Sequence, residues 1–224
     1  MSQEKTVVTD AAGVLGQIAA LSPYFAVGTG PVPDERWQPT ATLRDPLTRD
    51  ALIAETAERM GITEARVAAS TVYFGYAARL WSVAVGSVVV SGRCVGLDPE
   101  RLLWRAEGGT LLLHLADPQF GSSPVAEVLD GQVEPLIASW RSVVAPGAMW
   151  GNTASALIGV TQVAGEPARS HVEALLAEPR LRSALDPSTG RRRSCCLFYR
   201  TPGGGVCGDC PFPSPPMDSP HRPR

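Results

Sequence analysis

Apolar residues along this chain recur mostly at the three- and four-residue spacing of a helix face, and glycines and prolines cut that pattern into segments. Asp45-Pro46 precedes a run with Leu47, Leu52, Ile53, Ala57 and Met60 that stops at Gly61. That order supplies an N-cap, a first-turn proline and a C-terminal glycine. A longer helix, capped by Thr63, is predicted from Glu64 to near Val90, and as the most apolar stretch it should be central to the core. Its end, VGSVVVSG, is β-branched enough to form a strand instead, and periodicity does not separate the two. Residues 1–25 read as a further helix.

RLLWRA and TLLLHLA, joined by Glu107-Gly108-Gly109, predict a β-hairpin near 101–116. One hairpin is not a stable sheet, so helices must cover it. Ser123-Pro124 opens a helix whose Val128, Leu129, Leu136, Ile137 and Trp140 share a face, with a kink expected at Pro135. After Pro146-Gly147 another apolar face, with Ala154, Leu157 and Ile158, runs to Gly165. A short helix from Pro167 to Ala177 and a turn at Glu178-Pro179 follow. No internal repeat is present. The fold class expected is mainly α with a small β-hairpin (α+β): a helical domain over 1–179, a C-terminal segment over 180–210, and a disordered tail over 211–224. The tail has six prolines in its fourteen residues.

Composition adds little to this. The 224 residues are 44% apolar and 19% charged, ordinary for a globular protein, and a net charge of −2 gives no reason to expect nucleic acid as a partner. Charge is uneven, however: the last 45 residues carry +5 and the remainder −7. That basic end is either a solvated surface or a positive field around a site. The N-terminus lacks a secretory h-region, so a cytoplasmic protein is expected. Residues 72–90 are long enough to span a membrane but contain Arg79, and a buried core helix fits them better. Membrane association should be peripheral at most.

The chemistry is concentrated in RRRSCCLFYRTPGGGVCGDCP, residues 191–211, which holds four of the five cysteines. Cys195 and Cys196 are adjacent, ten residues precede Cys207, and two more precede Cys210. Disulfides fit poorly without an export signal, since the cytosol keeps thiols reduced. Cys207-x-x-Cys210 is half of a structural zinc site. The adjacent pair suits zinc less well, because neighbouring side chains tend to diverge, whereas a two-iron cluster takes four thiolates over a wider span. Both metals remain open on spacing alone. Cys94 is isolated and reads as a small apolar filler; His114 reads as a structural residue, His171 lies on a helix and His221 in the tail. None of these builds a catalytic triad.

The string RRSCCLFYRTPGGGVCGDC resembles the C-terminal signature of the FhuF-like ferric-siderophore reductases, and WGN at 150–152 is similar to the same family. The resemblance covers residues 149–210. It implies a [2Fe–2S] cofactor on Cys195, Cys196, Cys207 and Cys210, with no catalytic residue beyond the cluster. It implies one-electron reduction of siderophore-bound Fe(III) to Fe(II), which oxygen donors hold far less tightly. Gly203, Gly204, Gly205 and Gly208 would permit left-handed turns that aim N–H groups at sulfur, and Arg191, Arg192, Arg193 and Arg200 would favour the added electron or draw in the chelate. Trp150, Asn152, Arg193 and Arg200 are candidate substrate-binding residues, although Trp150 and Asn152 could equally anchor a helix start. No G-x-G-x-x-G follows a strand, so a ferredoxin or flavoprotein should supply the electron. A [2Fe–2S] electron carrier and a zinc-stapled helical binding module are the alternatives.

Overall fold

A computed structural model describes residues 10–216. Its seven helices are α1 (Ala11–Ala19), α2 (Pro46–Met60), α3 (Ala65–Ser91), α4 (Glu134–Trp140), α5 (Pro146–Ala164), α6 (Glu166–Leu176) and α7 (Pro179–Arg182). The helix punctuation reads as expected at α2: Asp45 accepts from the Thr48 N–H at 2.9 Å, Pro46 opens the first turn, and Gly61 closes it at φ 62°. α3 is apolar nearly all round and is correspondingly buried, packed against α1, α2, α5 and α6. It includes all of VGSVVVSG up to Ser91, so tertiary burial overrides the strand preference of its valines. Arg79 survives in it because its guanidinium donates to the Pro23 carbonyl and to Thr110 Oγ1, both at 2.9 Å. Thr63 does not cap α3; Glu64 occupies the cap position, and its carboxylate is spent on Arg66 and Arg200.

The hairpin forms from β3 (Leu103–Glu107) and β4 (Thr110–Leu115), turned by Gly108 and Gly109 at φ 56° and 89°. Two strands of two residues each enlarge it to a four-stranded sheet: β1 (Gly28–Thr29) runs parallel to β4, and β2 (Gln38–Pro39) antiparallel to β3. Strands this short leave no period in the sequence. His114 is buried and its Nε2 lies 3.0 Å from the Gly30 carbonyl. Cys94 is buried as well, and burial raises its thiol to about 12.

The segment opened by Pro124 is a π-helix from Val125 to Val133 that passes into α4, in place of a kinked α-helix. Glu134 N–H reaches back five residues to the Leu129 carbonyl. Pro135 has no N–H to offer Gly131, whose carbonyl instead accepts from Arg44 Nη2 at 2.7 Å. At the ends, residues 1–9 of the N-terminal stretch, and residues 217–224 of the tail with His221, lie outside the described residues. Within 211–216, Phe212 meets Tyr199 edge-on at 6.1 Å.

Candidate metal centre

After α7 the chain turns through residues 186–190 and crosses itself, and the crossing assembles the cysteines. Arg192 N–H donates to the Asp209 carbonyl at 3.0 Å, Arg193 N–H to the Ala184 carbonyl at 2.9 Å, and Arg191 Nη1 to the Cys210 carbonyl at 2.7 Å. Cys195-Cys196 is thereby laid beside Cys207 and Cys210, with Cys196 Sγ 3.7 Å from Cys207 Sγ. Cys210 is buried and the other three are half-buried. No group of three or more His, Cys, Asp or Glu side chains among the described residues is closed around one point.

Each of the two neighbouring thiols has a partner of its own: Cys196 Sγ faces Cys207 Sγ, while Cys195 Sγ accepts from a backbone N–H. That N–H belongs to Leu197, which adopts a left-handed backbone at φ 68° and turns it back onto Cys195 Sγ at 3.3 Å. A leucine held in that conformation is strained, which marks the turn as imposed by its surroundings. A second N–H, from Phe212, reaches Cys210 Sγ at 3.5 Å. Of the four loop glycines, Gly203 alone is left-handed, at φ 69°. Gly204 is needed for a different reason: a Cβ there would stand 2.2 Å from the Phe198 carbonyl oxygen. Gly205 and Gly208 have open space and no such φ, so the expectation that all four make left-handed turns is corrected to one.

Two helices, α3 and α5, hold this loop. Ser70 of α3 donates through Oγ to the Cys196 carbonyl at 2.8 Å. Glu64, at the start of the same helix, binds Arg200 Nε at 2.6 Å and so fixes the turn Phe198–Arg200. On α5, Gly151 lets the loop press close, since a Cβ there would already touch the Ser194 carbonyl and Arg192 Cδ at 3.4 Å. Asn152 beside it has no exposed surface; its Nδ2 donates to Ser70 at 2.9 Å and its Oδ1 accepts from Arg192 Nη1 at 2.8 Å. The structure thus places Asn152 behind the cysteines, holding an arginine, with no face toward solvent. Trp150 is half-buried against the core. Arg193 donates its Nε to the Leu185 carbonyl at 3.0 Å.

The residue that sequence reasoning undervalued is Arg192. Its side chain is 1% exposed, its Nη2 pairs with Asp209 at 2.9 Å, and the same nitrogen contacts Cys207 Sγ. Burial opposes its charge, but Cys196, Asp209 and Cys207 outweigh burial and hold it protonated. Cys196 is lowered to about 5 by the hydrogen bond from Cys195, with burial opposing and Arg192 assisting. Cys195, as the donor of that bond and partly buried, is raised, and burial lifts Cys207 to about 12. Arg192 Nε and Asp209 Oδ2 are buried with no hydrogen-bond partner. Only its place in the basic run pointed to Arg192, since its partners lie 40 residues away on α5 and 17 residues ahead in the loop.

Four thiols on two adjoining stretches, backbone N–H groups at two of the sulfurs, and a buried guanidinium with an unspent N–H match the needs of an anionic cluster that takes four thiolates. No curated protein matches the chain. Residues 192–212 match the family model of the FhuF 2Fe-2S C-terminal domain, a span that contains all four cysteines and leaves Trp150–Asn152 outside. With that match, the chain carries the C-terminal segment of an FhuF-like iron–sulfur protein, and a [2Fe–2S] cluster is its cofactor.

Proposed function

We propose that this chain is a ferric-siderophore reductase of the cytoplasm, in which Cys195, Cys196, Cys207 and Cys210 are the cluster ligands. When bound, a [2Fe–2S] cluster supplies one-electron transfer. The observation that carries the reading is that the matched cysteine segment opens, at Cys196 and Cys207, onto a groove large enough for a small chelate. Arg192 keeps a positive charge against these thiolates and stabilises the more negative, reduced state. Ser70, Asn152 and Glu64 hold the loop still, which limits the reorganisation that electron transfer requires. The substrate is Fe(III) held by the oxygen donors of a siderophore. One electron passes from the reduced protein, Fe(III) becomes Fe(II), and a ferredoxin or flavoprotein returns the electron. Fe(II) is then released because its lower charge binds hard oxygen donors weakly.

The test begins with iron, zinc and sulfide analysis of the purified protein, where zinc without sulfide ends the reading. The chemically reduced holoprotein is then mixed, without oxygen, with the Fe(III) complexes of desferrioxamine B, enterobactin and citrate. Reoxidation by at least one of them, with matching appearance of an Fe(II)-chelator complex, is expected. Failure with all three, beside rapid exchange with a ferredoxin, would instead establish an electron carrier.

A further inference from the structure

The groove at the cysteines has a volume of about 460 Å³ and runs from Cys196 and Cys207 along the outer face of α3 to the tip of the β3–β4 hairpin. Its side walls include Phe74 and Phe198, 36% and 42% exposed, and Met60 adds a further apolar surface. Among the described residues, two guanidiniums line it, Arg192 at the cysteine end and Arg59 at the hairpin end, and no carboxylate does. Arg59 is fixed there by a 3.1 Å bond to the Gly109 carbonyl.

Gly75 lies in the groove in the middle of α3, a helix of 27 residues. Glycine inside a helix costs roughly 1 kcal/mol relative to alanine. Packing does not demand it at this position, because a Cβ built on Gly75 meets nothing within 4 Å. The side chain that Gly75 lacks is therefore space in the groove, kept open at a cost to the helix. An apolar trough of this size, lined by no carboxylate among the described residues and ending at two thiols, fits an oxygen-donor iron chelate whose hydrocarbon scaffold lies on the aromatic walls.

We propose that the ferric siderophore docks in this groove, over Gly75 and between Phe74 and Phe198, with its iron toward Cys196 and Cys207; the assignment rests on the reductase reading. Phe74 and Gly75 are then specificity-determining residues, and both belong to α3 rather than to the cysteine loop. Two variants test it: Gly75→Phe, which fills the trough on a position with room for it, and Phe74→Glu, which puts a carboxylate on the wall. Binding is read with the redox-inert gallium(III) complexes of desferrioxamine B, enterobactin and citrate, titrated by calorimetry into oxidised holoprotein. Reduction is read as the single-turnover reoxidation rate with the Fe(III) complexes. Both variants should keep the visible spectrum and midpoint potential of the parent while binding the accepted gallium complex at least about tenfold more weakly. Gly75→Phe should also melt no lower than the parent, so that lost binding is not lost folding. If the parent is reoxidised by a ferric chelate but both variants bind and react as it does, the groove is the wrong site and the reductase reading stands. If the parent is reoxidised by none, both fall together.

Discussion

Replacing Arg192 by glutamine should lower the midpoint potential of the cluster. The guanidinium is 1% exposed and touches Cys207 Sγ, so solvent screens it little. Two unit charges about 4 Å apart in an effective dielectric of about 20 interact by roughly 4 kcal/mol. For one electron, about 1.4 kcal/mol corresponds to about 59 mV, so the whole interaction is a ceiling of roughly 170 mV. The added electron is spread over several atoms, which brings the expected fall to the order of 100 mV. Asp209 acts the other way: left behind by Arg192→Gln, its half-buried carboxylate is an unpaired anion beside the thiolates. Asp209→Asn should therefore raise the potential, and the double variant should lie between the two single ones. The double variant also guards against collapse, since stripping one partner from a fully buried pair costs about 3–5 kcal/mol, an upper bound for this partly exposed one, while neutralising both costs less. The assay is an EPR-monitored redox titration of each holoprotein. An Arg192→Gln protein with the parent's visible spectrum and an unchanged or higher potential would refute the electrostatic role.

Two further outcomes follow from the loop that carries the cysteines. Gly204→Ala should cost the protein its cluster, because the new Cβ collides with the Phe198 carbonyl, whereas Gly205→Ala should retain it; iron per protein after purification reports both, and equal loading in the two would remove the steric argument. The Glu64–Arg200 pair should make the loop acid-sensitive. Its hydrogen bond to Arg200 holds the Glu64 carboxyl below its usual range, so the stabilisation is present at neutral pH and is lost as pH falls through that depressed value. Glu64→Gln should thus melt lower than the parent at neutral pH by the equivalent of about 0.5–1 kcal/mol. The gap should close in acid; one that stays constant down to the lowest pH measured would show that charge is not the link.

The parts of this fold that show in the sequence are those whose information is local. Asp45, Pro46 and Gly61 name both ends of α2, and Gly108-Gly109 names the hairpin turn, because caps and tight turns act within a few residues. Cysteine spacing likewise finds the metal segment. The π-helix did not show, since Pro135 announces a disturbance but not whether it becomes a kink or a widened turn; the Gly131 carbonyl that Pro135 leaves unpaired is taken by Arg44, 87 residues before Gly131. β1 and β2 are created by pairing with the hairpin. The same holds for the support of the site: Ser70, Asn152 and Arg192 meet across separations of 82 and 40 residues. Asn152, readable from sequence as lining the substrate face or anchoring a helix start, is bonded to Ser70 and Arg192 behind the cysteines.

The basic run at 191–193 illustrates how a local signal can be real and still point to the wrong use. Read as charge, it invites a surface that gathers anions. In the structure the side chains are bonded to the protein itself: Arg191 to the Cys210 carbonyl, Arg192 to Asn152 and Asp209, Arg193 to the Leu185 carbonyl. Arg200 is bound to Glu64 on α3. A guanidinium so bonded keeps its charge but fixes its surroundings: Arg191 and Arg193 hold main-chain carbonyls, Arg192 and Arg200 hold side chains, and together they close a loop that has little regular secondary structure of its own. Only Arg192 also reaches a thiol, so the electrostatic role suggested by the run contracts to one side chain. The groove that opens at Cys196 and Cys207 is walled by Phe74, Phe198 and Met60. On the docking proposed above, selection among ferric chelates falls to the fit of a hydrocarbon scaffold over Gly75, with net charge in second place.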